Sequence, residues 1–152
     1  MGFVGTRLDW DYRAAQRLAG FTAALDQAGV GLTFLERLET PSTVGLGGRA
    51  LKQVMAVYPE AEATFFANDD LAVGAILEAQ RSGIRIPDDM AIAEFNGLNL
   101  GNHITPRLTT IVSPRLRMGR RAAEMLLARI RGEPVPQRAR DIGFRLVAQE
   151  ST

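Results

Sequence analysis

The chain has 152 residues, of which 46% are hydrophobic and 23% are charged, and it contains no cysteine. This length and balance are typical of one globular domain with a buried core, and the lack of cysteine excludes disulfides, zinc-thiolate sites and thiol nucleophiles. Its 18 basic and 17 acidic residues give a net charge of +1, which excludes nucleic-acid or membrane binding through bulk charge alone.

The periodicity of apolar residues predicts an alternation of strands and helices. Residues 11–28 place Leu18, Phe21 and Leu25 on one helix face, and Gly29 ends that helix. Residues 63–67 form a short, mostly apolar run, which is typical of a buried strand. In chain order we predict strands over 2–6, 32–35, 63–67, 90–95, 108–112 and 143–147, helices over 11–28, 48–57, 71–82 and 114–130, and a loop over 41–48.

This alternation predicts an α/β fold with a mostly parallel sheet flanked by helices on both faces. Ligands of such sheets bind at the carboxyl ends of the strands. We therefore expect a ligand site formed by the segments at those ends, which are residues 5–13, 40–45, 68–70, 96–99 and 113.

Two pairs of adjacent carboxylates, Asp69-Asp70 and Asp88-Asp89, resemble acid/base or metal-binding pairs. Adjacent side chains on a strand or turn point apart, however, and each pair lies where a helix cap or turn is expected. The only histidine, His103, lies in a polar loop without a recognisable triad spacing. We therefore expect no catalytic residue, no metal and no cofactor.

Two arginines on the first predicted helix, Arg13 and Arg17, are four residues apart and share one face near the strand ends. Arg13 has an alternative role as a surface ion partner of Asp9, Asp11 or Asp26. Because Arg17 lies next to the apolar stripe, it is the better candidate for a buried guanidinium that faces a ligand.

Asn68 follows the predicted strand over 63–67 and precedes a predicted helix. Its side chain is suited to capping that helix. An amide also both donates and accepts hydrogen bonds, which suits a sugar hydroxyl. The two roles are compatible at this position.

The order and spacing of several short motifs resemble the lac/galactose repressor (LacI/GalR) family of transcription regulators, along residues 2–151. The motif at 17–21, Arg-Leu-Ala-Gly-Phe, matches the family's effector-binding arginine and the helix after it. The other motifs are FANDDLAVGA at 66–75, GIRIPDD at 83–89, Phe95-Asn96, PRLTTI at 106–111 and Gly119 before Leu126-Leu127.

This resemblance implies a periplasmic-binding-protein-like core (type I) of two α/β subdomains. A sugar or sugar acid would bind between them, and a separate N-terminal helix-turn-helix would read DNA. We expect this sequence to be truncated to mainly the C-terminal subdomain, without the helix-turn-helix. Residues 1–108 would form that subdomain, 109–132 a crossover strand and helix of the N-terminal subdomain, and 133–152 a return strand.

The resemblance also implies a set of effector-binding residues. Asn96 stands where many members have aspartate, and Glu94 stands where a small glycine is usual. Because an amide does not repel an anion as a carboxylate does, and because two arginines lie opposite, we expect a sugar acid such as gluconate. The implied effector-binding residues are Arg17, Asn68, Asn96, Arg13, Asp11 and Ser113.

The family's homodimers imply contacts at Val73 and Ile104, whose side chains we expect to be partly exposed. We therefore expect a non-enzymatic, cytoplasmic repressor fragment that senses a sugar or sugar acid, forms a homodimer, and has DNA as a partner only through the missing headpiece. No membrane partner is expected, since the sequence has no signal peptide pattern or long apolar stretch.

Two alternatives belong to other classes of function. A sugar-binding protein of a transport system shares this fold and requires a signal peptide or lipid anchor. A small α/β enzyme requires a clustered nucleophile, a metal set or a phosphate-binding loop.

Overall fold

Six strands and four helices alternate along the chain in a computed structural model, which describes all of residues 1–152. None of the helices has the length and apolar character needed to cross a membrane. The elements are β1 (Gly2–Thr6), α1 (Tyr12–Gln27), β2 (Phe34–Leu38), α2 (Val44–Val57), β3 (Ala63–Phe66), α3 (Asp69–Ser82), β4 (Ala91–Asn96), a 3-10 turn (Asn99–Asn102), β5 (Thr109–Val112), α4 (Arg115–Ile130) and β6 (Arg145–Val147).

The strands form one sheet in the order β2-β1-β3-β4-β5-β6. The first five strands are parallel, and only β6 runs antiparallel to its neighbour, β5. The α/β fold with a mostly parallel sheet is therefore confirmed. Because the five strands are parallel, their carboxyl ends lie along the same edge.

The main core lies between the sheet and the pair α2 and α3. It contains 17 buried residues, among them Val4, Phe66 and Ile92 from the central strands. Helix α1 packs on the other face, where Phe3 and Phe65 point because successive residues of a strand alternate in direction. The sheet is thus covered on both faces, as predicted, with the thicker layer on the side of α2 and α3.

Two glycines allow α2 and α3 to approach each other closely. A Cβ atom added at Gly47 would lie 2.0 Å from the Leu71 carbonyl oxygen, and one added at Gly74 would lie 1.9 Å from that of Val44. Thr43 caps α2 by accepting a hydrogen bond from the Leu46 amide at 3.1 Å. The predicted loop over 41–48 is therefore wrong from residue 44 onward, since its glycines serve helix packing.

The strand at Thr109–Val112 lies inside the sheet, where it pairs with β4 in parallel. Its predicted assignment to another subdomain stays a prediction, while the pairing with β4 extends the sheet that residues 1–108 begin. Helix α4 differs, since it buries none of its residues. The chain then returns to the sheet through β6 and Ser151, whose hydroxyl donates to the Ile92 carbonyl at 2.6 Å.

We predict that Gly74→Ala lowers the free energy of unfolding by about 2–3 kcal/mol, since the added methyl group meets backbone that cannot rotate away. Gly119→Ala is the matched control, because nothing lies within 4 Å of its added Cβ on α4. The control should gain up to about 1 kcal/mol from helix propensity. Urea unfolding measures both values, and equal stability of the two variants would contradict the close approach of α2 and α3.

Candidate ligand-binding cleft

An open cleft of about 930 Å³ lies at the carboxyl edge of the sheet, where α1, β4 and the segment leading into α4 meet. It brings together four of the six predicted site residues, Arg13, Arg17, Asn96 and Ser113. Asp11 and Asn68 are not among the residues that line it. The remaining lining residues are Tyr12, Gln16, Gly20, Phe21, Ala24, Phe65, Phe95, Ile111, Arg115, Met118 and Phe144.

Arg17 is a cation of the cleft that two contacts hold in place. Its guanidinium carbon lies 4.2 Å from the centre of the Phe95 ring, and its Nη1 donates to the Ala67 carbonyl at 3.0 Å. Its pKa is lowered, chiefly because the half-buried guanidinium loses solvent. Stacking and hydrogen bonding thus fix the orientation of the planar group.

Asp11 and Arg13 form a local ion pair at the start of α1. The Arg13 Nη2 lies 3.2 Å from Asp11 Oδ2, and the Arg13 amide donates to Asp11 Oδ1 at 2.9 Å, so that Asp11 caps the helix. The hydrogen bond from the Arg13 side chain lowers the pKa of Asp11. The surface ion pair considered for Arg13 is therefore present. Such exposed pairs contribute little to stability because water screens them, so a bound anion can compete for Arg13.

Asn68 caps α3, as predicted, because its Oδ1 accepts a hydrogen bond from the Leu71 amide at 3.3 Å. Its Nδ2 donates to the Ser42 hydroxyl at 2.6 Å, and that hydroxyl lies 2.9 Å from the Thr6 hydroxyl. These bonds connect the carboxyl ends of β1 and β3 with the loop before α2. The effector-binding role of Asn68 stays a prediction, and it would have to compete with the bond to Ser42.

The backbone at Asn96 and Gly97 turns sharply into the cleft, with φ angles of +127° and +65°. Arg115 donates from Nη1 to the Asn96 carbonyl at 2.6 Å and from Nη2 to the Gly97 carbonyl at 3.1 Å. Sequence reasoning missed Arg115. The available signal was a basic residue in the first turn of a helix, where the helix dipole disfavours a cation unless another contact holds it.

Two buried carboxylates hold the same turn from below. Glu94 is 1% exposed, and its Oε1 accepts a hydrogen bond from the Gly97 amide at 3.3 Å. Asp69 is 3% exposed, and its Oδ1 accepts one from the Leu98 amide at 2.6 Å. Burial raises the pKa of Glu94 to about 7. Asp69 is thus a buried support of the turn, a role that the sequence did not indicate.

The expected exposure of Val73 is wrong. Its side chain is 1% exposed and belongs to the main core, because α3 is buried on the sides that face both the sheet and α2. Ile104 is half-buried against the same core. Of the two residues predicted at a dimer contact, Ile104 is therefore the one with a side chain at the surface.

The remaining polar motifs have structural roles or lie at the surface. Asp88 and Asp89 both form ion pairs with Arg85, and the distance from Arg85 Nη1 to Asp88 Oδ2 is 3.6 Å. His103 is exposed. No group of three or more His, Cys, Asp or Glu side chains is arranged to hold a metal ion.

Comparisons with known proteins place the chain in a family. The profile of the periplasmic binding protein-like domain matches residues 1–152. The chain is 45% identical to the HTH-type transcriptional regulator GntR of Pseudomonas aeruginosa over all of its own length and 44% of that protein's. It is 42% identical to the regulator of the same name from Escherichia coli K12, over 96% of this chain and 43% of that protein.

A solved structure agrees with the sequence relatives. The transcription regulator GntR from Chromobacterium violaceum superimposes with a TM-score of 0.92 at 42% identity, over 99% of this chain and 55% of that one. The chain thus spans less than half the length of these curated relatives and about half of the solved one.

We predict that the chain loses stability as the pH rises from 5 to 8. Because the folded-state pKa of Glu94 lies above its unfolded value, its contribution is fully present below the unfolded value of 4.5 and is lost as the pH passes about 7. The full effect corresponds to roughly 3 kcal/mol. Thermal unfolding at several pH values measures this pH dependence of stability. The parent protein carries His103→Gln, which removes the only histidine. In that background Glu94→Gln should remove the slope, and an unchanged slope would contradict the assignment.

Proposed function

The chain belongs to the periplasmic binding protein-like domain family, in the form found in LacI-type transcription regulators, and we propose that it is the effector-sensing portion of such a repressor. Its task is to bind a small molecule, without catalysing a reaction on it. The observation that carries this proposal is the cleft at the carboxyl edge of the sheet, where oriented cations and a polar turn converge.

The charge of the cleft favours an anionic ligand. Arg13, Arg17 and Arg115 all line it, whereas Asn96 supplies an uncharged amide at the end of β4. A carboxylate bound between these arginines gains charge-assisted hydrogen bonds that a neutral sugar does not gain. The ligand class proposed is therefore a sugar acid such as gluconate.

Each cleft residue has a distinct role in this proposal. Arg17, fixed on Phe95, binds the carboxylate with its free N–H groups. Asn96 and Ser113 form hydrogen bonds with hydroxyl groups, since an amide and a hydroxyl both donate and accept. Arg115 supplies a second cation while it holds the turn beneath the ligand.

The rest of the proposal concerns the longer regulator. Its DNA-binding helix-turn-helix lies outside these 152 residues, and its second subdomain supplies the other wall of the cleft. Helix α4, which buries none of its residues here, packs against that subdomain. The regulator acts in the cytoplasm as a homodimer, with Ile104 at the contact between subunits.

We predict that gluconate binds to the 152-residue chain with a dissociation constant on the order of 1–10 mM, because one wall of the cleft supplies only part of the contacts. A titration followed by ¹⁵N NMR should shift the resonances of Arg17, Asn96 and Ser113. Glucose, which lacks the carboxylate, should shift none of them at the same concentrations. Equal responses to glucose and gluconate would contradict the choice of an anionic ligand.

Arginine variants test the geometry of binding. Arg17→Lys keeps the charge and loses the planar group that stacks on Phe95, so the affinity for gluconate should fall about tenfold. Arg81→Lys is the matched control, because Arg81 is exposed at the far end of α3. An equal loss in both variants would show that the effect is not specific to the cleft and would contradict the proposed site.

A further inference from the structure

Three buried oxygen atoms beneath the turn over 96–98 have no hydrogen-bond partner in the protein. They are Asp69 Oδ2, Glu94 Oε2 and the Thr110 hydroxyl oxygen, and their residues are 3%, 1% and 6% exposed. A buried polar atom that loses its bonds to water without gaining another partner is costly, and the cost is larger for a charged group. These oxygens therefore need a partner that the protein itself does not supply.

The three side chains come from different elements and converge on one turn. Glu94 on β4 and Thr110 on β5 are paired residues of neighbouring strands, so their side chains point to the same face of the sheet. The other oxygens of the two carboxylates, Glu94 Oε1 and Asp69 Oδ1, accept hydrogen bonds from the consecutive amides of Gly97 and Leu98. A Cβ atom added at Gly97 would lie 3.3 Å from Thr110 Oγ1, so the hydroxyl reaches the same turn.

The two carboxylates of this cluster have no cation beside them. Neither Asp69 nor Glu94 forms a salt bridge. Arg17 stacks on Phe95, whose side chain points to the opposite face of the sheet from that of Glu94. Water or the Thr110 hydroxyl can donate to the oxygens, but both are neutral and leave two buried charges uncompensated. A divalent cation supplies a partner for the oxygens and also the matching charge.

The type of ligand atom determines which cations fit. Mg²⁺ and Ca²⁺ prefer carboxylate, hydroxyl and water oxygens, whereas zinc sites are built mostly from cysteine and histidine. Mg²⁺ is commonly bound through one or two carboxylates and keeps several waters, so a set of three side-chain oxygens is sufficient.

We propose that Asp69, Glu94 and Thr110 form a binding site for a hard divalent cation, Mg²⁺ or Ca²⁺, beneath the turn over 96–98. The bound ion joins the start of α3 to β4 and β5 and thereby stabilises the turn that borders the cleft. This site does not depend on which ligand the cleft binds, so it can stand or fall separately from the proposed function.

Thermal unfolding of the 152-residue chain tests for the site. After treatment with EDTA, the protein is heated at pH 8 in MgCl₂ or CaCl₂, and in NaCl of the same ionic strength. At about 10 mM, one of the divalent cations should raise the Tm by roughly 5 °C relative to NaCl, as expected for a dissociation constant of about 0.1 mM. If neither raises the Tm above its value in NaCl, water or a proton satisfies the buried oxygens and the proposal is overturned.

Single substitutions locate the bound ion. Glu94→Gln and Asp69→Asn keep the size of each side chain and remove a charge, so each should reduce the rise in Tm to less than about 1 °C. Asp70→Asn is the matched control, because Asp70 also lies in the first turn of α3 but is exposed. The control should keep the full rise. An unchanged rise in Glu94→Gln, or a lost rise in Asp70→Asn, would overturn the site.

A second measurement needs no variant. Mn²⁺ accepts the same oxygen ligands, and its unpaired electrons broaden the NMR resonances of nearby amides. In the parent chain, a small amount of Mn²⁺ should broaden the amides of Gly97 and Leu98 first, and excess Mg²⁺ or Ca²⁺ should restore them. Broadening that begins instead at Asp88 and Asp89, the carboxylates paired with Arg85, would place the ion elsewhere and overturn the proposal.

Discussion

The cleft depends on one strained turn, the segment of Asn96, Gly97 and Leu98 after β4. Carboxylates bind its amides from the core side, and the Arg115 guanidinium binds its carbonyls from the cleft side. Acceptors on one side of this short piece of backbone and a donor on the other side therefore hold it in place. This arrangement offsets the cost of a positive φ at Asn96 and fixes the direction in which its side chain leaves the sheet.

The position of this turn depends on how α3 packs against α2. Asp69 reaches the Leu98 amide because α3 begins directly above β4, and α3 lies there because Gly47 and Gly74 let its backbone contact that of α2. Small residues between the two helices thus determine where a carboxylate at the start of α3 meets the turn. The buried carboxylates are costly in the core, but their hydrogen bonds to the turn recover part of that cost.

Much of the fold follows from the sequence, because strand and helix periodicities are local signals. The runs that form β1, β3 and β4 and the apolar stripe of α1 were predicted, and parallel strands bring their carboxyl ends to one edge. Four of the six predicted site residues consequently line the cleft. Two of these four, Arg13 and Arg17, were candidates because their spacing places them on one face of the first helix.

The missed features depend on contacts between residues far apart in the chain. The start of α2 was predicted as a loop because glycine usually disfavours a helix. The contact of Gly47 with the backbone of α3, which explains this glycine, becomes apparent only in three dimensions. Val73 is buried because α3 packs against both the sheet and α2. A single apolar stripe along a helix predicts burial on one side only. Arg115 and Glu94 act through backbone groups, whose positions the sequence does not specify. Since α4 buries no residue, the hydrogen bonds of Arg115 to the carbonyls of Asn96 and Gly97, rather than apolar packing, connect the start of α4 to the end of β4.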